Sequence, residues 1–314
     1  MHHQPPPMRR AQFRMTDDEA RAFLRGAPFA HLAGTLDGRP VLKTLNVVEL
    51  DGAWYFHGAV AGEKTSLMGG PVVLAAEEQV AELPSTFVDH EQACFASVLY
   101  RSVQVHGTLE RVDEPAHKAR ALQALMERFQ PEGGHRPIRH DDALYAGEVK
   151  GVLVARVLPG HIDGKAKLAQ NKSPAERRAL LEALWRRGLP SDPRAIELVR
   201  AANPGVEVPE CMRGPPGARL CCAPAPAHLE AAAALLVHDA DGRTPAAMGR
   251  ALARAPAWVG AFDREDALVG AAWHGAHPGM AAPATHVAVR ADWRDHGLHD
   301  ALARLVADHP ALRP

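Results

Sequence analysis

Apolar and polar positions alternate along much of the first half of the chain. In Val103-Gln104-Val105-His106-Gly107-Thr108-Leu109 every second residue is apolar or small, and those between are polar. That is the two-residue period of a strand with one buried face. The pattern predicts one long strand over Ser97–Val112. Shorter runs at Phe29–Leu36, Pro40–Leu50, Trp54–Ala59, Val72–Ala76 and Gly151–Leu158 read as further strands. Asp37-Gly38 and Asp51-Gly52 mark hairpins, because tight two-residue turns need positive φ at both central positions. Helices are fewer. Thr16-Asp-Asp-Glu19 and Ser173-Pro-Ala-Glu176 are capping boxes, opening helices to Arg25 and Arg187. Glu114–Phe129 has a helical period through Ala121, Leu125 and Phe129. Antiparallel strands with hairpin turns and few helices point to a small barrel.

The second half has a different rhythm. Strands are expected at Ala218–Ala223, Trp258–Phe262, Leu268–His274 and His286–Val289, and helices at His228–Val237, Pro245–Ala255 and Gly297–Val306. Between the halves Pro204, Pro209, Pro215 and Pro216 crowd together, as in a linker or irregular connection. The expected division is residues 8–203, a linker over 204–217, and 218–314. A length of 314 residues suits about two domains.

Composition narrows the classes. The 46% apolar content excludes wholesale disorder. Lys plus Arg number 36 against 37 Asp plus Glu, so there is no broad attraction for nucleic acid or acidic lipid. No apolar run reaches the ~18 residues of a membrane helix. Met1–Arg10 has no apolar leader core, which argues against secretion. Cys94, Cys211, Cys221 and Cys222 form no C-x-x-C pair, the usage of reduced thiols in a cytoplasm acting as small, partly buried hydrophobes. Nothing in these spacings suggests a metal site.

The chemistry concentrates at Trp54-Tyr-Phe-His57-Gly58-Ala-Val-Ala-Gly62-Glu-Lys64-Thr65-Ser66. A strand ends at His57, a small-residue turn follows, and Lys64 opens a short helix. Turn amides, a helix start and a lysine together suit a phosphate, with Thr65 and Ser66 as hydroxyl donors. The same pattern also fits a plain strand–turn–helix with a solvated lysine. His106 on the polar face of its strand, Tyr100, and the Lys165–Lys172 cluster read more simply as interface, packing and solvated loop.

Taken with the strand Arg39-Pro-Val-Leu-Lys43-Thr44 and with Tyr100-Arg101-Ser102-Val103, this stretch resembles the pyridoxamine 5′-phosphate oxidase-like, FMN-binding split-barrel family, closest to its nitroimidazole-reductase-like branch. Lys165–Ser173 looks like the PaiB branch of transcriptional regulators. The resemblance covers about residues 8–190. It implies an N-terminal antiparallel split β-barrel with peripheral helices, a homodimer, and FMN at the subunit interface. It implies an oxidoreductase acting on a small molecule, or else a non-enzymatic flavin or haem carrier or a PaiB-like regulator. Carried over, Lys43 and Thr44 lie along the isoalloxazine and ribityl chain. Phe56 and His57 flank the ring, and Gly62, Lys64 and Thr65 hold the phosphate. Ser102 reaches across the interface. His57 is the one obvious proton donor and so the catalytic candidate. Where the oxidases proper carry Ser-Arg-Lys, this chain has Gly62-Glu63-Lys64, which lowers the positive charge at the phosphate; Arg101 or the Lys165–Lys172 cluster are the candidates to compensate.

His286–Leu302 resembles motif A of the GNAT acetyltransferases, a strand leading through an Arg/Gln-x-x-Gly-x-Gly/Ala turn to a helix. The resemblance spans about residues 218–309 and implies a C-terminal α/β GNAT-like domain. His299 stands where a small residue is expected, Asp295 adds negative charge, and the chain ends after the motif-A helix. These departures imply a truncated domain with no acetyl transfer.

Overall fold

A computed structural model of the protein describes residues 8–237, 244–255, 258–275 and 283–309. The chain forms two compact units. One contains the residues up to Gln79 with Tyr100–Lys167; the other contains Val80–Leu99 and the chain from Leu168 onward. The segment 204–217 lies within the second unit and is irregular apart from one turn of 3-10 helix at Glu210–Met212.

The first unit opens with α1 (Asp17–Gly26), whose capping box forms as expected: the Thr16 hydroxyl accepts from Glu19 N–H while the Glu19 carboxylate accepts from Thr16 N–H. The strands are β1 (Ala30–Leu36), β2 (Arg39–Leu45), β3 (Val48–Leu50), β4 (Ala53–Gly58), β5 (Pro71–Leu83), β6 (Ser97–Val112) and β7 (Leu153–Lys167). Two helices, α2 (Pro115–Phe129) and α3 (Ala146–Gly151), lie between β6 and β7. The strands form one seven-stranded sheet in the order β2-β1-β5-β6-β7-β4-β3. Both Asp-Gly turns have positive φ at each central residue, 50° and 76° at Asp37-Gly38 and 50° and 78° at Asp51-Gly52. The hairpins β1–β2 and β3–β4 follow from them.

The run expected as one strand over Pro40–Leu50 is two. β2 ends at Leu45 on one edge of the sheet and β3 starts at Val48 on the other. Three Cα steps reach at most ~11 Å, whereas seven flat strands would hold their outer edges ~29 Å apart. The sheet is therefore rolled until its edges approach. Asn46 and Val47 make the crossing. The Asn46 side chain donates to Pro28 O at 3.0 Å, and the Arg128 guanidinium donates to the carbonyls of Val47 and Ala27.

Rolling gives the sheet an inside and an outside. Leu32, Val41, Trp54, Phe56, Leu74, Val103, Val105 and Leu109 fill the inside, with Phe23 and Leu24 of α1. Tyr55, Val154 and Val112 point outward, under Ala121 and Leu125 of α2. The alternation read in β6 therefore holds. Phe129, expected on the buried face of α2, is exposed beneath the Arg128 guanidinium, 4.8 Å from its ring. β7 continues nine residues past Leu158, so Lys165 and Lys167 lie on a strand rather than in a solvated loop. Pro159-Gly160 reads as a strand end, but a bulge absorbs the extra residue: His106 faces His161 and Gly107 faces Pro159. Gly107 is required there, since a Cβ would sit 2.1 Å from Leu158 O.

The second unit contains α4 (Pro174–Arg187), α5 (Asp192–Ala202), β8 (Arg219–Cys221), α6 (Leu229–Leu236), α7 (Pro245–Arg254), β9 (Trp258–Phe262), β10 (Leu268–Gly275), β11 (Ala284–Val289) and α8 (Leu298–Ala307). Its four strands form an antiparallel sheet in the order β11-β10-β9-β8. Leu298 and Leu302 of α8 pack onto Gly270 of β10, where a side chain would meet Leu302 at 2.7 Å. The fold is thus mixed, a large antiparallel sheet with helices and a second, smaller sheet. No helix among the described residues is long and apolar enough to cross a membrane.

Candidate functional site

The turn after β4 is built from small residues because a side chain folds back over it. A Cβ on Gly58, near the end of β4, would lie 2.9 Å from Lys64 Cε and 3.1 Å from Lys64 Nζ. The Lys64 ammonium therefore rests against the backbone at the end of β4, next to His57. Gly62, at φ 111°, turns the chain into a five-residue 3-10 helix, Glu63–Leu67. This element is too short for an appreciable dipole. Its Thr65 N–H and hydroxyl both donate to Gly62 O, at 2.9 and 2.7 Å. The Thr65 hydroxyl proton thus closes the turn instead of pointing to an anion.

Glu63, the residue that departs from the oxidase pattern, does not cancel Lys64. It is bound to Lys43 of β2, Nζ to Oε2 at 2.5 Å. The hydrogen bond from Lys43, and then its charge, hold the Glu63 carboxyl below the ordinary carboxylate range. Lys64 has no carboxylate partner among the described residues. The turn thus presents one uncompensated cation beside a Gly-cleared strand end.

Strand alternation separates other predicted residues. Lys43 and Thr44 are neighbours on β2 and point to opposite faces. Lys43 reaches Glu63, while the Thr44 hydroxyl meets His31 Nδ1 at 3.3 Å on the other face. His31 Nε2 in turn lies 3.4 Å from Glu77. His31 adds to the predicted set; the two-residue Asp37-Gly38 turn fixes the β1–β2 register and so sets His31 opposite Thr44, a signal present in the sequence. Phe56 is buried inside the rolled sheet, so at that position only the backbone is available to a ligand. His57 is exposed and makes no side-chain hydrogen bond among the described residues.

Arg101 and Ser102 form a second group. The Arg101 guanidinium donates to Glu78 of β5 at 2.6 and 3.0 Å and lies 4.8 Å over the Phe23 ring. Burial lowers its pKa. Its charge is thus spent within the sheet and does not compensate the turn. Ser102 faces Lys165 across the β6–β7 ladder, and the Lys165 ammonium sits 5.3 Å over the Tyr100 ring. Lys172 pairs with Glu176 on α4 at 3.6 Å. No hydrogen bond or ion pair joins Arg101 or Ser102 to the Lys43–Glu63–Lys64 group among the described residues. Nor do any three His, Cys, Asp or Glu side chains there gather as a metal site.

A family model described as pyridoxamine 5′-phosphate oxidase matches residues 16–166, the whole stretch that builds the rolled sheet. Residues 16–166 are pyridoxamine 5′-phosphate oxidase-like. No curated protein matches the chain. Among solved structures, the flavocytochrome Anf3 from Azotobacter vinelandii is similar at 22% identity, over 49% of this chain and 68% of that one, with a TM-score of 0.41. An FAD- and haem-binding protein from Mycobacterium smegmatis is similar at 19% identity, over 48% and 71%, with a TM-score of 0.41. A candidate 5-nitroimidazole antibiotic resistance protein from Bacteroides thetaiotaomicron is similar at 17% identity, over 52% and 95%, with a TM-score of 0.39.

Proposed function

We propose that the chain is an FMN-dependent oxidoreductase acting on a small molecule, a homodimer of split barrels with the flavin seated between the two N-terminal β-domains. The carrying observation is the Lys64 ammonium, held against Gly58 and free of a carboxylate, while Glu63 is taken by Lys43. This fits a phosphate monoester: one unpaired cation, small residues that permit close approach, and a neutralised carboxylate. The family match over residues 16–166 and the rolled sheet support the same reading.

In this reading Lys64 holds the phosphate and Gly62 lets the turn approach it. Thr65 shapes that turn. Lys43 keeps Glu63 from repelling the anion. The backbone of Phe56 and the exposed His57 border the ring. Ser102 comes from the second copy. FMN, when bound, supplies reversible electron transfer to a small substrate. The protein orients both and excludes water, and the His57 imidazole can give or take the accompanying proton.

The test is reconstitution of the full chain with FMN, riboflavin and FAD, followed by flavin fluorescence. FMN is expected to bind about tenfold or more tightly than riboflavin, because only FMN carries the phosphate that Lys64 meets. Lys64→Ala should erase that difference. Equal affinity for FMN and riboflavin in the unmodified protein, tighter binding of FAD, or a colourless protein that binds DNA instead would overturn the proposal.

For residues 218–309 we propose a GNAT-like unit without acetyl transfer. β11 runs through Ala291–His296 and the left-handed Gly297 into α8, the motif-A order. Asp295, His299 and Asp300 are all exposed around that turn. Two carboxylates and an imidazole ring oppose close approach of a pyrophosphate. Calorimetry with acetyl-CoA should show no binding; turnover of acetyl-CoA would sink this reading.

A further inference from the structure

The second unit holds a cleft of about 680 Å³ between α5, the irregular segment 205–214 and β8. That volume is in the range of small-molecule sites. The cleft is built rather than incidental. Buried Asn203 pins the start of the segment, its side chain donating to Leu168 O and Val199 O at 2.9 and 2.7 Å. Gly214 lets the segment run against the lead into β8, where a Cβ would meet Ala218 O at 2.6 Å. The floor is apolar: Met212 and Leu220 are each 1% exposed, and Val206 and Val208 stand at the wall.

The polar lining is mostly cationic. Arg200 and Glu197 of α5 neutralise each other at 3.0 Å and are locked in place; Arg200 also donates to Leu220 O, and Glu197 accepts Cys222 N–H. Arg213 and Arg219 also line the cleft and are about half exposed. Their partners do not line it. Arg213 shares Glu207 with Arg178, at 2.7 and 3.0 Å. Arg219 spends only its Nη2 on Asp266, at 2.6 Å, and is stacked 4.9 Å over Phe262. Counting the partners that stand behind the lining, four arginines are matched by three carboxylates among the described residues, leaving one positive charge over. Among the described residues, Nη1 of Arg213 and both Nε and Nη1 of Arg219 have no acceptor.

We infer that this cleft binds a small monocarboxylate with an apolar body. Arg213 Nη1 and Arg219 Nε or Nη1 each donate a charge-assisted hydrogen bond to the carboxylate, and the Val206, Val208, Met212 and Leu220 wall takes the apolar part. One net positive charge matches one carboxylate, and the dry floor rejects a ligand that is polar throughout. The inference is independent of the flavin reading.

The probes are octanoate, octan-1-ol and inorganic phosphate, titrated calorimetrically into the full chain with and without FMN. Octanoate should bind one to one, at least about tenfold more tightly than octan-1-ol, and neither phosphate nor FMN should displace it. Arg213→Gln and Arg219→Gln should each weaken octanoate about three- to tenfold, with octan-1-ol binding and melting temperature unchanged. Val206→Glu, which puts a carboxylate on the wall, should abolish octanoate binding in a folded protein. Equal affinity for acid and alcohol, competition by phosphate, displacement by FMN, absence of octanoate binding, or arginine variants that bind as the unmodified protein does would each overturn the inference.

Discussion

Lys64 and Gly58 are six positions apart, and their contact explains why the β4 turn carries no larger side chain there. Replacing Gly58 by Ala puts a methyl group where Lys64 Cε and Nζ now lie. The obstructed group is the far end of a flexible chain, so the lysine swings away at little cost. Gly58→Ala should therefore leave the melting temperature nearly unchanged while lowering FMN retention, as read by fluorescence titration beside thermal melts. Glu63→Gln should act in the opposite sense. It frees Lys43 and removes a carboxylate, so FMN affinity should rise a few-fold. The pH dependence has a definite sign. The Glu63 carboxyl titrates below its ordinary value of 4.5, so its pairing with Lys43 is intact above that value and is lost as pH falls through the lower, folded one. At this scale the chain's own spacing singled out Lys64. The His31–Thr44 contact follows from the register of the Asp37-Gly38 hairpin, whereas the Lys43–Glu63 pair was not legible, because no turn between those two residues fixes where they meet.

Among the elements, those with a local signature were read correctly. Both capping boxes, both Asp-Gly hairpins and the strand Ser97–Val112 follow from neighbours within a few positions. Departures occur where the chain obeys a remote partner. β2 and β3 are separate because they join opposite sheet edges, and β7 outlasts Pro159-Gly160 because β6 keeps pairing across a bulge. Gly107→Ala should be severe, about 2–4 kcal/mol by melting, since its Cβ meets a carbonyl oxygen that cannot move without breaking the ladder. In the second unit α5 begins at Asp192, which is fully buried. It takes a two-point contact from Arg187 of α4, at 2.5 and 3.0 Å, and the N–H of Leu189 at 2.9 Å. Asp192→Ala leaves a largely covered guanidinium unpaired and should cost about 3–5 kcal/mol, seen as a large drop in melting temperature. Asp192→Asn, which keeps acceptor and shape, should cost less. The helix α5 itself was not foreseen.

For the molecule as a whole, the four thiols report on integrity. Cys94 is exposed, Cys211 half-buried, and Cys221 and Cys222 buried; all are free. Burial, and then the Glu197 charge, raise the Cys221 thiol from 9.0 to about 12, and the same causes raise Cys222 well above its ordinary value. In the folded protein at pH 8 a thiol reagent should modify Cys94 quickly and Cys221 and Cys222 only on unfolding. Because the folded Cys221 pKa is raised, its contribution to stability is whole below about 9 and lost as pH climbs toward about 12. A melting series from pH 8 to 11 should fall more steeply for the native protein than for Cys221→Ala. On the dimeric flavin reading, FMN affinity should also weaken on dilution below the dimer dissociation constant; affinity independent of protein concentration would place the whole flavin seat within one copy.

The order of residues alone determined most strands and helices, the pairing of the hairpins, and the turn that carries Lys64, since all of these rest on interactions between near neighbours. Tertiary structure decided the rest. It rolled the sheet, placed Lys43 and Thr44 on opposite faces, buried the Phe56 ring, bound Arg101 to Glu78, and set Arg213 and Arg219 on one cleft. Those outcomes depend on which distant surfaces meet, and the free energy of such meetings resides in burial and charge pairing between segments whose separation along the chain carries no signal.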